Sequence, residues 1–99
     1  MITELAEIQI KPGTDTAFLA AVGQAVALFQ RARGCTAMRL EKRVEQEDSY
    51  LLIVGWETLD DHNLHFRASA DFQEWRRLVG DFFATAPAVT HVAPALAGF

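Results

Sequence analysis

Tyr50-Leu51-Leu52-Ile53-Val54-Gly55-Trp56 is a run of seven residues without a charge and without polar alternation. A strand with one face in water alternates apolar and polar residues with a period of two. A continuous apolar run of this length, rich in β-branched and aromatic residues, predicts a strand covered on both faces. Any fold for this chain must therefore supply two covers for one strand.

The flanking segments narrow the choice. Ile2 to Ile10 reads as a strand, with Ile2, Ile8 and Ile10 on one parity and Glu4 and Ala6 between them. Lys11-Pro12-Gly13 ends it, and Thr14 or Asp15 is placed to cap a helix. Phe18, Val22, Ala25 and Phe29 then recur on one helical face, with Gly34 as the expected stop. Cys35 to Val44 alternates, placing Thr36, Met38, Leu40 and Val44 opposite Arg39, Glu41 and Arg43. Glu45 to Ser49 is a polar turn. Thr58-Leu59-Asp60-Asp61 has the form of a capping box and predicts a helix from about residue 59, with Ser69 capping a second helical segment. Leu64, Ala68, Phe72, Trp75 and Val79 form a predicted apolar stripe. Gly80 and Pro87 bracket a loose aromatic stretch, Ala88 to Ala93 is a last short strand, and residues 94–99 are a C-terminal tail.

The order β-α-β-β-α-β predicts an α+β, ferredoxin-like fold in one domain spanning residues 1–99. Its four-stranded antiparallel sheet carries both helices on one face. The helices cover one side of the 50–56 strand. The simplest cover for the other is the same face of a second copy, so a homodimer through the open face of the sheet is expected.

Composition excludes several function classes. A net charge of -4, with nine Lys and Arg and no basic run, argues against nucleic acid and anionic membranes as partners. No apolar stretch approaches the roughly 18–20 residues needed to span a bilayer, and the N-terminus lacks the pattern of a signal peptide. Cys35 is the single cysteine, so an internal disulfide is impossible. A cytoplasmic location is the expectation.

The residues that bear chemistry crowd together after Trp56: Asp61, His62, His65, Phe66, Arg67, Phe72, Trp75 and Arg76. Aromatics, imidazoles and guanidinium groups commonly line small-molecule pockets. They also suit a packed helix with a charged rim. His62 is the candidate base or hydrogen-bond donor, since an imidazole titrates near neutrality. Trp56, Phe66, Arg76 and His65 are candidate substrate contacts. Phe72 and Trp75 fit the core, and Arg67 and Arg76 fit ion pairs with Glu57, Asp71 or Glu74. His62 and His65 stand three apart, but no further ligand has metal-site spacing, so no metal is expected. His91 fits a structural or surface role, and Cys35 reads as a small buried hydrophobe.

Ile10-Lys11-Pro12-Gly13, Gly34-Cys35, Tyr50-Leu51-Leu52 through Trp56-Glu57, His62, and Phe66-Arg67-x-Ser69-x-x-Phe72-x-x-Trp75-Arg76 together resemble the antibiotic biosynthesis monooxygenase (ABM) domain family of the dimeric α/β-barrel superfamily. The resemblance implies a homodimer with its sheets face to face and a pocket between sheet and helices in each subunit. It further implies a monooxygenase that works on aromatic phenols or quinols with O₂ and without a cofactor. A haem-degrading branch uses an Asn on the first strand, a Trp on the third and a His in the second helical region. Trp56 matches that Trp, whereas Ala6 and Arg76 stand at the other two places. A small-molecule-binding or structural dimer without chemistry is the alternative from another class.

Overall fold

The computed structural model describes residues 1–99. β1 (Ile2–Gln9) is followed by α1 (Asp15–Gln30), β2 (Cys35–Lys42) and β3 (Ser49–Trp56). A π-helical turn (Asp61–Phe66), α2 (Ala70–Val79), a 3₁₀ turn (Gly80–Phe82) and β4 (Ala88–Val92) complete the chain. The sheet order is β2-β3-β1-β4, and all neighbours run antiparallel. This is the expected ferredoxin-like arrangement, with the first and third strands central.

Register decides which residues meet the helices. Ala6 pairs with Leu52 and Ile8 with Tyr50, and these buried residues pack under Phe18, Val22, Ala25 and Phe29 of α1. The opposite parity carries Leu5, Leu51 and Ile53, which are half-buried on the uncovered face. In the single chain β3 is therefore covered once. Its apolar composition exceeds what that one cover requires.

Four local expectations need correction. Leu64 is 56% exposed, and Ala68 is exposed as well, so neither belongs to the core stripe. The cause lies in the backbone. Arg67 N donates to His62 O at 3.1 Å across five residues, which widens the turn. The chain then breaks at Ser69, whose hydroxyl accepts from Phe72 N at 3.1 Å and donates to Phe66 O at 2.6 Å. A stripe counted at α-helical spacing cannot cross that break, and Phe66 turns inward in place of Leu64. Val44 lies beyond the end of β2 and is 91% exposed. α1 ends at Gln30, well before Gly34, and Thr14 precedes it without a side-chain cap, its hydroxyl instead donating to Lys11 O at 2.6 Å.

Gly34 instead shapes the turn into β2. Its φ is +75°, and a Cβ there would lie 2.1 Å from Asp61 Oδ2. The buried Asp61 occupies the space that a side chain would fill, and Thr58 Oγ1 accepts from Asp61 N at 3.1 Å, as the capping box predicts. The turn after α1 and the start of the π-helical segment thus fit only with glycine between them. After α2, Lys11 N donates to Phe82 O and Ala84 N to Gln9 O, both at 2.8 Å. These bonds tie the 80–84 segment to the end of β1 and close one side of the space above the sheet.

Candidate active site

A cavity of about 630 Å³ lies between the sheet and α2, within the range of small-molecule sites. Ala6, Ile8 and Leu52 form its floor, and Phe72, Trp75, Phe83 and Val89 are among its apolar walls. Arg67, Gln73 and Arg76 add polar groups from the helical side, and Glu4 and His62 lie together in the lining.

Glu4 comes from β1 and points toward the helices with Ala6 and Ile8. It is 5% exposed, an unusual setting for a carboxylate, which needs partners when buried. Two nitrogens approach its Oε1. Trp56 Nε1 donates at 3.0 Å, and His62 Nε2 lies 3.2 Å away. His62 Nδ1 in turn lies 2.7 Å from Nε2 of His91 on β4, the residue that pairs with Glu4 in the sheet. Burial pushes the Glu4 carboxyl above the usual carboxylate range, against the hydrogen bond from Trp56. Burial, then repulsion from His91 and Arg67, lowers His62 from 6.5 to about 4. His62 is therefore a neutral imidazole at pH 7.

His62 Nδ1 and His91 Nε2 share one hydrogen bond, whose direction follows the two tautomers. His62 Nε2 stands beside the Glu4 carboxylate at 3.2 Å, outside hydrogen-bond alignment.

Aromatic packing fixes this chain in place. The Trp56 and His62 rings stack at 5.1 Å and 16°, Trp56 meets Phe66 at 5.4 Å, and Phe66 meets Phe29 of α1 at 5.0 Å. The π-helical turn allows it, since a wider turn brings His62 and Phe66, four apart, closer to one line.

Of the residues expected at a site, His62 and Arg76 line the cavity. Trp56 and Phe66 are buried one layer behind His62 and outside that lining, while His65 is exposed and stands apart from it. Phe72 and Trp75, expected in the core, are also cavity walls. The ion pairs expected for Arg67 and Arg76 are absent: Asp71 binds Arg31 through two bonds of 2.7 Å, and Glu74 pairs with Arg77. Arg67 lies over the Phe72 ring at 5.9 Å. Cys35 is half-buried, and burial raises its pKa.

Glu4 and His91 were missed as site residues. Glu4 did carry a signal, as a charge on the otherwise apolar parity of β1 that needs a buried partner. His91 shares the inward parity of Val89, but its meeting with His62 is a tertiary fact.

The sequence model of the antibiotic biosynthesis monooxygenase family matches residues 1–78. The chain belongs to that family. A candidate ABM protein from Bordetella bronchiseptica is 49% identical in sequence, with a TM-score of 0.94 over 96% of this chain and 97% of the other. YczJ, an uncharacterized protein of Bacillus subtilis (strain 168), is 38% identical over 91 residues, 92% of this chain and 96% of its own length. At 18% identity, a candidate ABM protein from Nitrosomonas europaea shares the fold, with a TM-score of 0.81 over 97% of this chain and all of the other. Family membership accords with a monooxygenase-like activity, and no helix of this ABM protein is long and apolar enough to cross a membrane.

Proposed function

We propose that this ABM protein is a cofactor-independent monooxygenase acting on an aromatic phenol or quinol. The observation that carries the reading is the cavity itself: an apolar chamber that includes the buried Glu4–His62 pair and two arginines without acidic partners. Apolar walls suit a flat ring system. A buried acid–base pair suits removal of a hydroxyl proton, and arginines suit the resulting phenolate.

The chemistry balances without a further reductant. A phenol with a free ring C–H and one O₂ become a quinone and one water. One oxygen atom enters the ring as the new carbonyl, and the other leaves as water with the hydroxyl and ring hydrogens. The substrate supplies every electron, so the residues need only orient it, stabilise its anion and handle protons. His62 belongs to the proton-handling set, Trp56 and Phe66 hold its ring, and Arg76 faces the substrate anion. The haem-degrading alternative lacks support from Ala6 and Arg76, since Ala6 offers no side-chain amide and Arg76 no imidazole.

We further infer a homodimer through the face bearing Leu5, Leu51 and Ile53, which gives β3 its second cover.

Oxygen uptake with a panel of hydroquinones and naphthols tests the reading. Uptake above buffer, reduced by His62→Ala, is expected. Binding across the panel with no uptake would instead make this a ligand-binding protein.

A further inference from the structure

Which atom of the polar cluster meets the substrate is decided by the hydrogen bonds already made. His62 Nδ1 is taken by His91, and its Nε2 lies 3.2 Å from Glu4 Oε1. The Trp56 indole N–H is spent on Glu4. That bond and the nearby His62 Nε2 are both at Glu4 Oε1, and Oε2 takes no hydrogen bond. Yet no side-chain nitrogen or oxygen is buried without a partner. Oε2 must therefore reach open space, and the space that Glu4 lines is the cavity. One carboxylate oxygen is anchored by the Trp56 N–H beside the His62 ring, while the other faces the ligand chamber with its lone pairs free.

We propose that Glu4 is the catalytic base of this site, accepting the substrate hydroxyl proton on Oε2, and that His62 is a positioning residue that fixes Oε1. The proposal rests on the phenol-oxygenating function inferred above. In the step, the substrate O–H bond breaks and its electron pair remains on the substrate oxygen as phenolate. The proton forms an O–H bond to Oε2. Glu4 later returns it to the oxygen atom that departs as water, which restores the carboxylate.

The surroundings support this assignment. Burial makes the carboxylate a stronger base than one in water. The titratable and charged groups around it are His62 on the π-helical turn, His91 on β4 and Arg67, with Cys35 of β2 also within its field. Arg67 and Arg76 line the same chamber and face the phenolate that forms. Proton transfer to a positioned side chain typically contributes about 10²–10⁴-fold to rate.

The test uses a nitrophenol, whose phenolate absorbs visible light, together with the hydroquinone and naphthol panel. Wild-type protein is expected to bind the nitrophenol as phenolate at a pH where the free compound is neutral. Carbon NMR of ¹³C-glutamate-labelled protein should show the Glu4 carboxyl becoming protonated as the phenolate forms. Glu4→Gln is expected to bind the compound as neutral phenol and to lose about a hundredfold or more in oxygen uptake. Glu4→Asp, with its acid one methylene back, should recover part of the ionisation. His62→Gln should still ionise the ligand but move the pH at which it does so, a change that a merely structural residue would not cause. Equal ionisation by wild type and Glu4→Gln would overturn the assignment and leave the phenol reading standing. Should Glu4→Gln not fold, a Glu4 carboxyl that stays ionised beside bound phenolate in wild type overturns it equally. If wild type neither binds nor oxygenates any phenol, the phenol reading fails and the assignment falls with it.

Discussion

Glu4 and His62 share one buried contact and respond to acid in opposite directions. His62 has a folded pKa of about 4 against 6.5 in the open chain. The unfolded state binds a proton that the folded state refuses, so stability from this residue is complete above pH 6.5 and is lost as pH falls toward 4. At pH 5 the loss is about 2 kcal/mol. Glu4, with its pKa raised above 4.5, favours the folded state at low pH and loses that contribution as pH rises through its folded value. The net slope is a difference, so the informative measurement is a comparison. Urea unfolding at pH 7 and pH 5 should show His62→Gln gaining about 2 kcal/mol relative to wild type on acidification, and parallel curves would refute a buried neutral His62. Gly34 makes a second residue-scale prediction. Its φ of +75° disfavours any L side chain, and Asp61 fills the space of a Cβ. Gly34→Ala should lower stability by about 1–3 kcal/mol, visible as a lower urea midpoint with unchanged slope.

At the scale of elements, the π-helical turn and the serine that follows it control what the second helical region presents. Ser69 accepts from Phe72 N and donates to Phe66 O, so one hydroxyl joins the end of the turn to the start of α2. Ser69→Ala should cost about 1 kcal/mol, and it should also loosen Phe66 and the His62 ring stacked on Trp56. Thermal unfolding reads the first effect, and the His62 ring proton shifts read the second. Every strand and both helices were legible beforehand, because alternation in β2, the apolar run of β3 and the 18–22–25–29 spacing of α1 are local patterns. The helical stripe from Leu64 was misread because no residue announces a five-residue hydrogen bond. The candidate site was legible in part. His62 and Arg76 are cavity residues, while Phe72 and Trp75 hid there behind a core reading. Trp56 and Phe66 support the site from behind, which residue type cannot distinguish from lining it. The Glu4–His62–His91 chain joins three elements and depends on strand register, which one-dimensional spacing does not encode.

For the whole molecule, the open question is the second cover of β3. Leu5, Leu51 and Ile53 stand side by side on the uncovered sheet face, since Leu5 pairs with Ile53 in register. Ala37 sits on the same face beside Gly55, where an added Cβ would meet Thr36 Oγ1 at 2.4 Å. A flat apolar surface on a small protein favours association, and a two-fold pairing applies the same patch twice without leaving a free edge for growth. The cavity lies on the opposite face, among the helices, so assembly and ligand binding draw on different sides of the sheet. Ile53→Lys should therefore separate them. Its charge would be duplicated across a two-fold interface and buried there without a partner. Sedimentation should give a species of twice 11.0 kDa for wild type and one of 11.0 kDa for the variant. A wild-type protein that stays at 11.0 kDa at micromolar concentration would remove the dimer and leave the apolar run from Tyr50 to Trp56 covered only once.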